Sequence, residues 1–161
     1  MSQFLKLVKH PIKFRLYLVY NLPAAFFSGI RIKECTEQMS ITSVPFKWLT
    51  QNPFRSTYFA SLAMAAEMST GLLALNSVYK RTPPISMLIT NMQAHYFKKA
   101  MHITFFTCED GSMITDAVNE AAKGGEGKIV SAKSTGRNKE GELIAEFIFT
   151  WSFRRKETVK T

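Results

Sequence analysis

From residue 56 to residue 75 nearly every side chain is small or apolar, among them Ala60, Leu62, Met64, Ala66, Met68, Leu72 and Leu73, and the single charged one is Glu67. A run of this length reads as one helix. A helix apolar on nearly every side is enclosed by other structure rather than laid on a surface. Glu67 then needs its own explanation, because a buried carboxylate costs several kcal/mol unless it is paired, hydrogen-bonded or protonated.

The enclosure has to come from the rest of a 161-residue chain, a length that fits one domain with an adequate core and no need of disulfide or metal staples. Residues 3–20 read as a helix ended by Asn21, Leu22 and Pro23. It is expected to pack on the domain, ahead of the other reading, an amphipathic helix lying on a membrane surface. The apolar run 16–30 is interrupted by Asn21 and Pro23 and follows Arg15, which makes it too short and too broken for a membrane span. No small-residue cleavage site of a signal peptide accompanies it.

Residues 30–46 alternate as a hairpin with its turn near 36–38, and a loop leads through Asn52 and Pro53 into the central helix, with Ser56 or Thr57 as cap. Thr82, Pro83 and Pro84 end the helical region. A strand is expected over 85–97, its second half placing Met92, Ala94 and Tyr96 on an apolar face, and another is marked by Met101, Ile103 and Phe105. A short helix over 113–123 stops at Gly124 and Gly125, and two strands follow at 128–135 and 142–153. In the last, Leu143, Ala145, Phe147, Phe149, Trp151 and Phe153 share one face. Tight connections between successive strands imply a largely antiparallel sheet, and its apolar face needs the helix at 56–75 as a cover. The expected class is α+β, a curled sheet around one helix.

The net charge of +9 draws an anionic partner without naming it. Its basic residues are scattered, with short clusters at Lys80 and Arg81, Lys98 and Lys99, and Arg154 to Lys156, as on a solvated surface. A nucleic-acid binder interleaves aromatics with basic residues on one face, whereas Phe147, Phe149, Trp151 and Phe153 lie on the core face, so no nucleic-acid partner is expected. Cys35 and Cys108 belong to no metal or redox motif and are expected as free buried thiols in the cytoplasm. His95 and His102 lack a second ligand at metal spacing, and no metal site is expected.

The order of elements from about Gly29 to Trp151, together with the register of Asn52 and Glu67, resembles the hot-dog fold, specifically acyl-coenzyme A thioesterases of the phenylacetate-pathway type. Thioesterases of that branch tend to carry an Asn, then a Gly, then His-Gly-Gly at the start of the central helix, and an Asp or Glu about two turns further along. Laid on this sequence without a gap, the Asn falls on Asn52, the His on Tyr58, the following Gly on Phe59 and the acid on Glu67, while Arg55 replaces the first Gly. The N-terminal helix and the turn at Lys98, Lys99 and Ala100 are similar to a branch of the superfamily known only as a domain of unknown function. The resemblance implies a single hot-dog domain over 1–161: a helical extension at 1–28, a core at 29–153 and a basic tail at 154–161.

The resemblance also implies chemistry. Glu67 acts as base for water or as nucleophile on a thioester carbonyl, and the backbone N–H of Phe59 steadies the oxyanion. Asn52 orients substrate or water, and Tyr58 stands for the His. Arg55, Lys98 and Lys99 are candidate contacts for the phosphates of coenzyme A, which is part of the substrate; no separate cofactor is implied. Each has a plainer role: Glu67 as a core acid bonded to Asn52, Gln93 or a cation from a partner chain, Asn52 as a turn residue, Arg55 in a surface ion pair, and the lysines as solvated turn residues. A hot-dog dehydratase needs a histidine in the loop before the helix, and residues 11–58 contain none. The implied function is thioester hydrolysis by a homodimer or a dimer of dimers. A non-catalytic module for fatty acyl or acyl-coenzyme A ligands is the alternative, because Arg55 and Phe59 alter positions that activate the carbonyl.

Overall fold

The computed structural model describes residues 2–156. Three helices, α1 (Gln3–Lys9), α2 (Pro11–Asn21) and α3 (Pro23–Phe27), precede a hairpin of β1 (Arg31–Cys35) and β2 (Ser40–Val44). The long helix α4 (Phe59–Val78) follows, then β3 (Ile85–Tyr96), β4 (Thr104–Cys108), α5 (Gly111–Ala122), β5 (Lys128–Arg137) and β6 (Leu143–Arg155). The six strands form one antiparallel sheet in the order β1-β2-β4-β5-β6-β3. It curls around α4, which touches β2, β3, β4, β5 and β6.

The apolar helix is enclosed as its composition requires: Leu62, Ala65, Ala66, Met68, Leu72, Leu73 and Ala74 are all buried. Phe147, Phe149, Trp151 and Phe153 of β6 face it from the sheet, and Ala145 shares their burial. Small polar residues fix the register between helix and sheet. Thr42 Oγ1 donates to the Ala65 carbonyl at 2.7 Å, Ser69 Oγ meets Ser134 Oγ at 2.7 Å, and Trp151 Nε1 donates to Thr70 Oγ1 at 3.1 Å. Buried hydroxyls and an indole N–H that pair in this way specify one packing rather than weaken the core. Cys35 and Cys108 are free and buried, and burial pushes their thiols up to about 11 and about 12, away from the reactive thiolate.

Four expectations need correction. The single N-terminal helix is broken at His10, which caps α2 by accepting from Lys13 N–H while Pro11 opens the new helix. The central helix starts at Phe59 rather than at 56, because Ser56 is bonded to Asn52 and the Thr57 hydroxyl donates to the Ala100 carbonyl at 3.0 Å, so neither caps it. The strand expected from Met101 begins at Thr104, where pairing with Val44 of β2 starts. Met92, Ala94 and Tyr96 do share the inner face, opposite Phe149, Phe147 and Ala145 of β6, although Met92 and Tyr96 are exposed there, on the edge strand β3. Of the expected basic tail, Arg154 and Arg155 belong to β6, and residues 157–161 lie outside those described.

Candidate functional site

The loop before α4 is built by Asn52. Its Oδ1 accepts from the N–H groups of Phe54 at 3.0 Å and Ser56 at 3.2 Å, and its Nδ2 contacts Ser56 Oγ at 3.1 Å. These bonds turn the side chain inward on its own loop, the usual behaviour of an Asn that mimics a turn. Arg55 sits at the tight point with φ 58°, in the left-handed region that favours glycine. The resemblance implies glycine there, so the backbone keeps a glycine's conformation under a different side chain. Arg55 is exposed and joins no ion pair among the described residues.

Beyond the loop, Thr57 N–H donates to the Ala100 carbonyl and Tyr58 N–H to the Thr50 carbonyl. Phe59 is the first residue of α4, and its own N–H has no acceptor among the described residues. Its ring packs edge-on against Tyr58 at 4.8 Å, and both rings are exposed. Asn52, Tyr58, Phe59, Lys98 and Lys99 line one cleft of about 420 Å³. Five of the seven residues singled out from the sequence are therefore brought together. Lys98 is already engaged: its Nζ meets Glu142, and this hydrogen bond, with a second from Asn138, holds the Glu142 carboxyl below the usual carboxylate range. Lys99 joins no ion pair among the described residues.

Glu67 is elsewhere. It lies eight residues after Phe59, about 12 Å along the helix, and lines a separate cavity of about 490 Å³ whose walls are mostly apolar. Phe14 and Tyr17 of α2, Leu72 of α4, Met87 and Leu88 of β3 and Trp151 of β6 surround it. A smaller cavity of about 200 Å³, walled by Leu22 to Ala25, shares Glu67. Neither Asn52 nor Gln93 reaches the carboxylate, and no other hydrogen bond or ion pair to it occurs among the described residues. Burial alone pushes its pKa up to about 7.

Gly71, one turn further along α4, gives the carboxyl its space, since a Cβ there would stand 2.8 Å from Glu67 Oε1. A glycine inside an otherwise strong helix former is a sequence signal for such a close approach. Tyr17 supplies a phenol to the same cavity, its pKa raised by burial and then by Tyr79. Nothing in the spacing of residues 3–20 announces that α2 walls the acid's cavity, because that depends on where the helix docks.

Neither a protein-family model nor a curated protein sequence matches the chain. Among solved structures it is similar to a protein of unknown function and probable thioesterase from Pseudomonas aeruginosa, with a TM-score of 0.76 and 19% identity over 91% of this chain and 97% of that one. The chain has the hot-dog fold. A protein of unknown function from Chlorobaculum tepidum is similar at a TM-score of 0.75 and 15% identity, covering 89% and 93% of the two chains. A thioesterase from Haemophilus influenzae gives 0.64 and 14%, covering 91% and 92%. At these identities the likeness carries the fold, and the chemistry rests on the residues of this chain.

Proposed function

We propose that this protein hydrolyses an acyl thioester of coenzyme A, as a homodimer whose sites are each shared between two chains. The observation that carries the reading is Glu67: a carboxyl with no partner among the described residues, on the wall of an apolar cavity, with a pKa of about 7 suited to a general base at neutral pH. The ionised carboxylate takes a proton from water as the water oxygen bonds to the thioester carbonyl carbon. The tetrahedral intermediate then collapses, its C–S bond breaks with the electron pair leaving on sulfur, and Glu67 returns its proton to that sulfur, so that a carboxylic acid and a free thiol leave and the base is ionised again. The N–H of Phe59, at the positive end of a helix, is the oxyanion donor. Asn52 acts by holding the loop, since its side chain is committed to Phe54 and Ser56. Tyr58 flanks the donor, and Lys98, Lys99 and Arg55 are assigned to the coenzyme's phosphates.

The dimer is proposed because one chain separates base from donor, and β3 offers a way to unite them. Its outer edge is unpaired among the described residues, and Leu88, Met92 and Tyr96 are exposed along it. Leu88 borders the Glu67 cavity and Tyr96 borders the Phe59 cleft. Antiparallel pairing of two β3 edges near Met92, on the far side of the bulge between Ile89 and Asn91, runs the Leu88 end of one strand toward the Tyr96 end of the other, which brings the Glu67 cavity of one protomer toward the Phe59 cleft of its partner.

The test is release of free thiol from a panel of acyl-coenzyme A substrates. Turnover is expected for at least one acyl length, with Glu67→Gln lowering it by roughly 100-fold or more while the circular dichroism spectrum is unchanged. The separate cavities of the single chain favour a second reading, a non-catalytic acyl-binding module. That reading prevails if no substrate is turned over yet long-chain ligands raise Tm.

A further inference from the structure

Helix α2 is apolar on both sides. Phe14 and Leu18 are buried on its inner side, while Ile12, Leu16 and Tyr20 are exposed at a spacing of four residues, which places them on one outer stripe. Single exposed apolar residues are ordinary on a protein surface. Here the exposure continues past the helix. A groove of about 780 Å³, bordered by Arg15, Phe27, Lys47 and Leu49, runs beside α2. Lys47 Nζ donates to the Phe27 carbonyl at 2.8 Å and the Arg15 guanidinium lies 5.0 Å from the Phe26 ring centre, tying the turn Trp48–Thr50 to this side of the molecule. Phe27, Leu49 and Trp48 are exposed there, Trp48 to 79%.

The charge of this region has one sign. Residues 1–33 contain Lys6, Lys9, Lys13, Arg15, Arg31 and Lys33 and no Asp or Glu. None of the six is in an ion pair among the described residues. Aliphatic side chains flanked by lysines, with Tyr20 and Trp48 presenting apolar bodies and polar tips, match an anionic bilayer surface: the apolar groups enter the acyl boundary and the cations meet the headgroups. No helix among the described residues is long and apolar enough to cross a membrane.

We infer that the outer face of α2 and the Trp48–Leu49 turn dock on the surface of an anionic lipid membrane. The inner face of α2 walls the Glu67 cavity, so docking sets that cavity one helix away from a source of acyl lipid. The inference holds whether the protein hydrolyses its ligand or only binds it, and its test needs no turnover.

The full chain is sedimented with vesicles of phosphatidylcholine containing roughly one-third phosphatidylglycerol, and with vesicles of phosphatidylcholine alone. Binding is expected to the anionic vesicles, weakening as salt is raised. Tryptophan emission should shift to the blue, because Trp48 leaves water while Trp151, 3% exposed, is already buried. Trp48→Phe should remove the shift and keep most of the binding. The double variant Ile12→Glu, Leu16→Glu should weaken partitioning by on the order of tenfold or more, whereas Ile129→Glu, an exposed position on β5, should not. The inference is overturned by failure to sediment with anionic vesicles at low salt, or by equal binding to both lipids. Equal loss in the β5 variant overturns it too, as does a double variant that changes oligomeric state and leaves vesicle binding intact, which would make the face a protein interface.

Discussion

Glu67 and Gly71 stand one turn apart on α4, and the glycine leaves room for a carboxyl that finds no partner among the described residues. The consequence for stability has a definite sign. The folded chain holds this proton up to about pH 7, above the ordinary value of 4.5, so between those values folding takes up a proton. Stability is therefore fullest below about pH 4.5 and declines as pH rises through about 7. Glu67→Gln removes that decline and is expected to be more stable than wild type at pH 8 by about 3 kcal/mol, read from urea midpoints at pH 5 and pH 8. Turnover should follow the opposite course, with kcat/KM rising through about pH 7 as the base ionises. Asn52 shows what spacing conveys and what it omits: its place before the helix was plain, but its amide is spent on Phe54 and Ser56, which only the loop's path decides.

At the scale of elements, α4 was legible because the absence of charge from a long run leaves few alternatives to enclosure. Strand β6 was equally legible, since its alternation has only one face to bury. The starts of α4 and β4 were misplaced by three residues, because Ser56, Thr57 and Met101 suit a helix cap or a strand until their partners in other segments are known. Close packing between strands gives a further test. A Cβ on Gly136 of β5 would meet Phe106 Cε1 at 2.4 Å, and that ring is fully buried on β4. Gly136→Ala should therefore lower stability by about 1–3 kcal/mol, seen as a fall in Tm, with no effect at a glycine in open space such as Gly125 beyond that of its backbone conformation.

For the whole molecule, the open edge of β3 matters most. A long strand edge carrying Leu88, Met92 and Tyr96 invites pairing with another chain. Met92→Lys places a charge at the centre of the proposed two-fold contact. It is expected to weaken dimerisation by roughly tenfold or more, measured by sedimentation velocity, and to lower thiol release with it while the monomer stays folded. A monomeric variant that retains full turnover would remove the shared site from the mechanism.

By itself the sequence determined that one apolar helix bearing a single acid must be wrapped by a mostly antiparallel sheet. Periodicity reports the two faces of each element, and the apolar faces had nowhere else to go. Tertiary structure alone decided that α2 walls the acid's cavity, that Glu67 and the Phe59 N–H open into different spaces, and that Met92, Tyr96 and the outer stripe of α2 are left exposed. A cavity or an exposed stripe is set by where several elements come to rest against one another, and no pattern confined to one of them carries that information.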